Sequence, residues 1–386
     1  MLSSVRNQPS PPDAEGLRAR TISGSEIDQY RAGWEQLAQR RANAFLTPQW
    51  YETWLRHYGG AAEAALTVVC DPAGELVGLM PLTRAGRELR FAGAGLGDCF
   101  HPLAAAANEH TVAAAVGADL QRRDYLVLDH VAESATWPDA LQRAAPRTMA
   151  RSESRQDVLP VIDLTDLDWD QFLGARSRNF RSQVRRRLRA AEAEGGHFRR
   201  TTDPITLDAD WEHFLRLQDA RWEPRGGSTL STERSRDFHR DFARALLERG
   251  WLRLWFLEID GEPVATWYGW SLGDRYAYYL GGFDPAWEKL APGFVLLSHT
   301  IRSALEEGVH EYDLLRGGEA YKSRFATGSR RVMTIVCAPA WSRERALAAS
   351  EAAAWRASRR MPGKVRSAGQ RVYHAMRSVM PTGKLR

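Results

Sequence analysis

Cysteine is scarce: Cys70, Cys99 and Cys337 are the three in 386 residues. Three scattered thiols are too few for a disulfide framework, and they lack the paired spacing of a structural zinc site. No metal site is expected. Long apolar runs are missing too. The stretch Gly293–Ser298 is soon broken by His299 and Arg302, whereas a membrane-spanning helix needs about 20 consecutive apolar residues. Met1–Ala19 holds no apolar segment of the kind that marks a secretory leader. A cytoplasmic protein is the simplest expectation. A disordered or fibrous chain is excluded by ordinary globular values, 44% apolar and 26% charged. The 14 tryptophans need a core, and the length suggests two or three domains at roughly 100–200 residues each.

Acidic residues are nearly absent from one end. Residues 341–386 carry eleven Lys and Arg against two Glu, a charge of +9, while the whole chain is +5. The other 340 residues are therefore mildly acidic, at −4. This distribution does not make the body of the protein a nucleic-acid binder.

Residues 1–20 hold Ser, Pro and charges without periodicity and read as a flexible lead-in. Pro48–Tyr58 reads as a short helix, with Trp50, Trp54 and Tyr58 at four-residue spacing. Leu66–Cys70 and Leu76–Leu82 read as strands joined by the turn Asp71-Pro-Ala-Gly74. Leu89–Ala92 is a third short strand, Asn108–Arg123 an Ala-rich helix, and Tyr125–Val131 a buried strand. The second half repeats this order. Arg236–Arg249 is helical and Trp251–Ile259 is a strand. Asp260-Gly261 is a tight turn, and Val264–Trp270 and Tyr276–Leu280 are strands. Phe294–Glu307 is a helix ending at Gly308, and Glu311–Leu315 is the strand after it. Gly74 and Gly261 are 187 residues apart, as are Tyr125 and Tyr312, which points to a duplicated unit. Hairpins make neighbouring strands antiparallel, while strand–helix–strand needs a parallel crossover, so each unit is a mixed sheet with one such step.

Between the halves, Arg176–Glu194 places Phe180, Val184, Leu188 and Ala191 on one stripe and seven arginines around it. This is an amphipathic helix docked on a domain. Its arginines read as a solvated face rather than a nucleic-acid site, with phosphate-bearing ligands as the alternative.

Tyr276–Phe325 is the segment with chemical content. Pro292 costs little at a helix start, where its missing N–H would be unpaired anyway. Gly293 has no side chain, so an anion can approach the first backbone N–H groups with help from the helix dipole. Pyrophosphate suits such a place. The alternative is that Pro-Gly merely starts a helix, since the segment is neither a Walker loop nor a G-x-G-x-x-G turn.

The run APGFVLLSHTIRSALEEGVHEYDLLRGGEAYKSRFA resembles GNAT-superfamily acetyltransferases of the CelD type, associated with cellulose and exopolysaccharide biosynthesis. Matching details are Pro-Gly opening the helix, Gly closing it, Asp in the next strand, and RGGEAYK after it. AFLTPQWYETWLRHYGG, GDCFHPLA and SRNFRSQVRRRLR also look similar, and the likeness covers roughly residues 40–340. The same tandem arrangement is seen in Fem-type aminoacyl transferases. The resemblance implies an α/β fold of mixed sheets: two tandem GNAT-like units, at 21–165 and 201–340, with an arginine-rich linker helix in 166–200 and a basic helical tail over 341–386. It also implies an acyl-CoA site, for acetyl-CoA or another acyl-CoA, in the C-terminal unit. There Tyr278, Leu280 and Gly281 would pair with pantetheine beside the strand ending at Leu315, and Pro292, Gly293 and Phe294 would hold the pyrophosphate.

Acyl transfer needs an acceptor amine or hydroxyl, a group to take its proton, and donors for the oxyanion. Asp313, Tyr321 and Lys322 are the candidate catalytic residues: a base or orienting group, a proton donor to the leaving thiolate, and an oxyanion donor. Arg316 and Glu319 are candidate acceptor contacts. Each has a plain alternative: Asp313 as an arginine's partner, Tyr321 as core, Lys322 as surface. Asp98 and His101 flank Cys99 in a loop read as substrate-contacting rather than nucleophilic. Arg221 and Trp222 suit a phosphate or sugar, with core packing as the equal alternative for Trp222. The N-terminal unit has no counterpart of Pro292-Gly293 and is expected to shape the acceptor cleft without a cofactor.

Three functions follow. The first is acyl-CoA-dependent N- or O-acylation of a saccharide precursor. The second is a Fem-like aminoacyl-tRNA-dependent transfer. The third is a non-enzymatic scaffold. The basic tail, read as helical over 345–360 and 365–379, is a candidate membrane-surface contact at the inner face of a membrane.

Overall fold

The computed structural model describes residues 16–225, 227, 230–316, 321–347, 349–350 and 353. The strands are β1 (Arg18–Ile22), β2 (Glu63–Cys70), β3 (Leu76–Ala85), β4 (Glu88–Phe91), β5 (Leu103–Ala104), β6 (Tyr125–Ala132), β7 (Met149–Asp163), β8 (His197–Arg200), β9 (Leu252–Ile259), β10 (Glu262–Leu272), β11 (Arg275–Phe283), β12 (Glu311–Asp313) and β13 (Gly328–Pro339). The helices are α1 (Arg31–Arg40), α2 (Pro48–Tyr58), α3 (Glu109–Asp119), α4 (Trp137–Ala144), α5 (Trp169–Gly174), α6 (Arg178–Ala193), α7 (Leu207–Trp222), α8 (Glu233–Glu248), α9 (Pro292–Glu306) and α10 (Lys322–Phe325). No helix among the described residues is long and apolar enough to cross a membrane.

All these strands join in one sheet, in the order β1-β2-β3-β4-β6-β13-β7-β12-β11-β10-β9-β8, with β5 attached to β3. The order is a palindrome. β1 to β4 answer β8 to β11, β6 answers β12, and the centre is made by β13 and β7. Each half has one parallel pair, β4 with β6 and β11 with β12. Each parallel pair is bridged by a helix, α3 or α9. The repeat expected at a spacing of 187 residues is thus visible as two mixed α/β units. Their last strands are exchanged. β7 follows the first unit yet pairs with β12 of the second, and β13 follows the second yet pairs with β6 of the first. β7 and β13 then run antiparallel along twelve register pairs. The strands of the two units therefore interleave across the boundaries expected at 165 and 201. The lead-in expected over 1–20 lies outside the described residues through 15, and the chain is already strand from Arg18.

Two apolar layers cover the sheet. One lies under α1, α2, α3, α7 and α8 and crosses both units. Trp50 joins them: its ring packs edge-on against Phe238 and Phe242 of α8 at 5.1 and 5.0 Å. Its Nε1–H donates to the Ala92 carbonyl at 3.0 Å, so the indole is buried without leaving a donor unpaired. The second layer lies under α6 and α9. As its periodicity predicts, α6 buries Phe180, Val184 and Ala191.

Candidate functional site

The second unit contains a strand pair that comes apart. β11 and β12 are paired at Arg275–Glu311, Tyr276–Tyr312 and Ala277–Asp313, and no further. β11 continues to Phe283. β12 stops at Asp313, two residues short of the expected Leu315, because Leu315 turns into the left-handed region at φ +52°. A non-glycine residue there needs outside support. Asp313 supplies it, accepting the Leu315 N–H at 2.8 Å. On its other side β11 carries a bulge: Tyr278 faces Gly269 and Leu280 faces Tyr268, leaving Tyr279 as the extra residue. From Tyr278 onward the β11 edge toward β12 has no strand partner among the described residues, so its backbone groups there can meet a ligand amide.

The side chains in this gap form one cluster. Lys322 is buried, not a surface residue. Its Nζ donates to the carbonyls of Leu314 at 3.0 Å and Arg316 at 3.3 Å, and lies 5.0 Å from the Tyr278 ring centre. The Tyr278 and Tyr321 hydroxyls are 3.2 Å apart. Tyr278 stacks on Trp267 at 5.3 Å. Arg221 and Trp222 of α7 both donate to the Gly281 carbonyl at 3.2 Å. The Arg221 guanidinium lies 4.7 Å from the Trp222 ring centre, 5.2 Å from Phe283 and 5.9 Å from Tyr321. Arg221 and Trp222 therefore hold the far end of β11.

Three other expected residues are engaged by neighbouring protein groups. Both Asp313 oxygens are engaged, one by Leu315 and one by Arg330 at 3.1 Å. Burial raises the Asp313 pKa against the nearby Arg275 guanidinium. This is the arginine-partner alternative, not a free base. Asp98 is buried and accepts both the Arg316 N–H at 3.0 Å and the Arg316 Nε–H. It fastens the first unit's loop to the turn after β12. His101 lies farther off. Its Nδ1 meets the Pro102 carbonyl at 2.9 Å, its Nε2 lies 3.4 Å from Asn43, and burial lowers its pKa to about 3. Burial also raises the Cys99 thiol pKa, the wrong direction for a nucleophile. Glu319 lies outside the described residues.

The start of α9 offers one amide. Pro292 has none to give. The Phe294 and Val295 N–H groups turn back to the Ala291 carbonyl at 2.9 and 3.1 Å, the ordinary first-turn bonds to an N-cap carbonyl. Gly293 keeps its N–H, and a side chain there would meet only Phe283 at 3.6 Å. Cations make up the shortfall, which sequence reasoning missed. α6 docks against α9 with Arg187 donating to the Lys289 carbonyl. Arg324 of α10 lies 5.8 Å from the Phe294 ring centre and donates to Gln183 of α6. Arg187 and Arg324 thus approach the helix start from α6 and α10, and Lys289 stands three residues before Pro292 in the sequence. The arginine count of α6 was the available signal. The residues present fit an anionic group here, and the free edge of β11 fits an amide-bearing chain. No group of His, Cys, Asp and Glu among the described residues could hold a metal ion.

Residues 178–323 match the family profile of the acetyltransferase (GNAT) domain, an interval running from the start of α6 into α10. No curated protein matches the chain. Among solved structures, FemX aligns over 81% of this chain and 96% of its own, at a TM-score of 0.59 and 13% identity. The C-terminal domain of a putative lysylphosphatidylglycerol synthetase from Agrobacterium fabrum aligns over 86% of this chain and 96% of its own, at 0.54 and 13%. L-PGS from Bacillus licheniformis aligns over 79% and 96%, at 0.50 and 14%. At these identities the likeness is one of fold: mixed α/β, with two GNAT-like units in tandem.

Proposed function

We propose that the chain transfers an acyl group from a CoA thioester to an amine or hydroxyl of a saccharide precursor, as in the CelD-type proteins it resembles. The carrying observation is the parting of β11 and β12 with the Lys322 ammonium and the Tyr321 hydroxyl in the gap. In this reading pantetheine lies along the free edge of β11 at Tyr278–Gly281. The CoA phosphates meet Gly293, Arg187, Lys289 and Arg324. The acceptor attacks the thioester carbon, the C–S bond breaks, Tyr321 gives its hydroxyl proton to the departing thiolate, and the acceptor's proton restores the Tyr321 hydroxyl, leaving the acylated acceptor and CoA thiol. Lys322 leaves one of its two carbonyls to meet the oxyanion, as charge developing in a dry site rewards a preplaced donor. Three free cysteines are compatible with a cytoplasmic location. The arginine face of α6 supports a second reading, in which the donor is an aminoacyl-tRNA and these cations meet RNA phosphates.

Calorimetric titration of the purified chain with acetyl-CoA tests the first reading. Saturable binding is expected, and Gly293→Asp should abolish it by placing a carboxylate at the helix start. No binding at millimolar ligand would overturn the acyl-CoA reading. If binding and turnover are found, Lys322→Met should lower kcat by about 100-fold or more, the usual worth of an oxyanion donor; an unchanged kcat removes Lys322 from catalysis.

A further inference from the structure

We propose that the chain docks on an anionic phospholipid surface through an arginine-lined cavity at one end of the sheet, away from the acyl-transfer gap. This cavity, of about 430 Å³, is lined by Arg87, Arg122, Arg123, Thr148, Trp341 and Arg343, among others. The residues come from four places: the turn between β3 and β4, the loop after α3, the residue before β7, and the segment after β13. Four arginines face one carboxylate, Glu344, which lies 3.6 Å from Arg87. Arg122, Arg123 and Arg343 have no ion-pair partner among the described residues. The Thr148 hydroxyl is buried and without a hydrogen-bond partner, an unpaired donor that an acceptor oxygen would satisfy. A phosphate monoanion or diester matches this set: negative, rich in acceptors, donating little.

The occupant is identified by what surrounds the cavity. Four large apolar side chains are exposed among the described residues: Val158, Ile205, Trp341 and Leu347. Two of these four, Trp341 at 74% and Leu347 at 62% exposure, stand beside the arginines. Leu347 follows Arg343 by four residues in a helical stretch, so the two share a face. An indole and a leucine next to guanidinium groups suit the boundary between headgroups and acyl chains. A free phosphate would use the arginines and leave both apolar side chains in water. The segment that begins at Trp341 is also basic by sequence, at +9 over residues 341–386. Polybasic segments are drawn to anionic lipid at each residue near the surface.

The test is vesicle co-sedimentation of the full chain, with phosphatidylcholine alone and with added phosphatidylglycerol. Binding should require phosphatidylglycerol and weaken with salt. Each arginine near an anionic surface is worth about fivefold, so R122Q/R123Q should weaken binding about 25-fold with the tail left intact. W341A should weaken it severalfold, with circular dichroism unchanged for both variants. Native-strength binding by R122Q/R123Q would overturn the cavity as the docking site and leave the tail as the carrier. Equal binding to phosphatidylcholine alone would also overturn the proposal. So would release from vesicles by polyuridylate at equal phosphate concentration, which would assign the cavity to nucleic acid. None of these outcomes depends on acyl transfer.

Discussion

His239 should make the protein acid-sensitive by a calculable amount. The side chain is wholly buried on α8. Phe238 and Tyr279 lie 4.8 and 5.1 Å from its ring centre, and Tyr268 lies at 6.2 Å. Neither ring nitrogen has a partner. Burial alone lowers its pKa from 6.5 to about 3, because an imidazolium there would be an unpaired charge in an apolar site. The depressed pKa means the unfolded chain takes up the proton first. Stability is therefore complete above about pH 6.5 and declines below it, by up to about 1.4 kcal/mol per pH unit. Between about pH 7 and pH 5.5 the loss from this residue is about 1.3 kcal/mol. Urea unfolding followed by tryptophan fluorescence measures it, with His239→Leu as the comparison. Leucine has similar volume and no unpaired nitrogens, so the variant should lie within about 1.5 kcal/mol of native at pH 7. It should then lose about 1.3 kcal/mol less than native on acidification. Equal losses for the two proteins would refute the claim that His239 is held neutral by burial.

Two further substitutions probe the supports of the gap. Asp98→Asn keeps the shape but removes the charge that receives the Arg316 guanidinium and N–H; urea unfolding should show a loss of about 1–3 kcal/mol, and no loss would mean the two units are not tied there. Gly269→Ala should be worse. Its Cβ would stand 1.9 Å from the Ala277 carbonyl and 2.7 Å from the Trp267 ring, so the bulge at Tyr279 must open, at a cost of about 3 kcal/mol or more in unfolding free energy. A stable Gly269→Ala protein with native acetyl-CoA binding would show that the bulge does not shape the site.

What the sequence made legible was local. Asp260-Gly261 is a turn because both residues sit at positive φ, 52° and 80°. The repeat was readable because Gly74 and Gly261 do the same work in equivalent hairpins. β7 and β13 were not anticipated, although they are the longest strands. Both carry charges in their span, such as Arg151 and Glu153 in β7 and Arg330 and Arg331 in β13. These charges find partners from other elements, as Arg151 does with Asp139 and Arg330 with Asp313. Alternation of polar and apolar residues cannot reveal a partner far along the chain. The same holds for the site. Pro292-Gly293 announces a helix start, and Lys322 and Tyr321 were named from chemistry. The link from Asp98 to Arg316 spans 218 residues, and the convergence of Arg187 and Arg324 exists only once α6 has docked.

The two units share a fold but present opposite charges at the equivalent helix. α9 begins Pro292-Gly293 with no acidic residue in its first turn, and Arg187 and Arg324 stand near it. α3 begins after a 3-10 turn over Ala106–Asn108 and carries Glu109 in its first turn, paired with Arg41. A carboxylate there satisfies the helix dipole and repels a phosphate. Near the end of β4, Phe91 and Phe100 stack at 5.0 Å. In the second unit that region holds Tyr278, Tyr321 and Lys322, all with polar atoms. In the proposed reading the first unit therefore has the topology of the donor site without its electrostatics. What it contributes is the loop that carries Leu96 and Asp98, which binds the Tyr279 hydroxyl at 3.0 Å and the Arg316 turn. In the proposed reading one copy thereby supports the other's gap. Glu109→Gln in the first unit should accordingly leave acetyl-CoA stoichiometry at one per chain, because the stacked phenylalanines still close the strand end; a second equivalent in the same calorimetric titration would show that the carboxylate alone had kept that site shut.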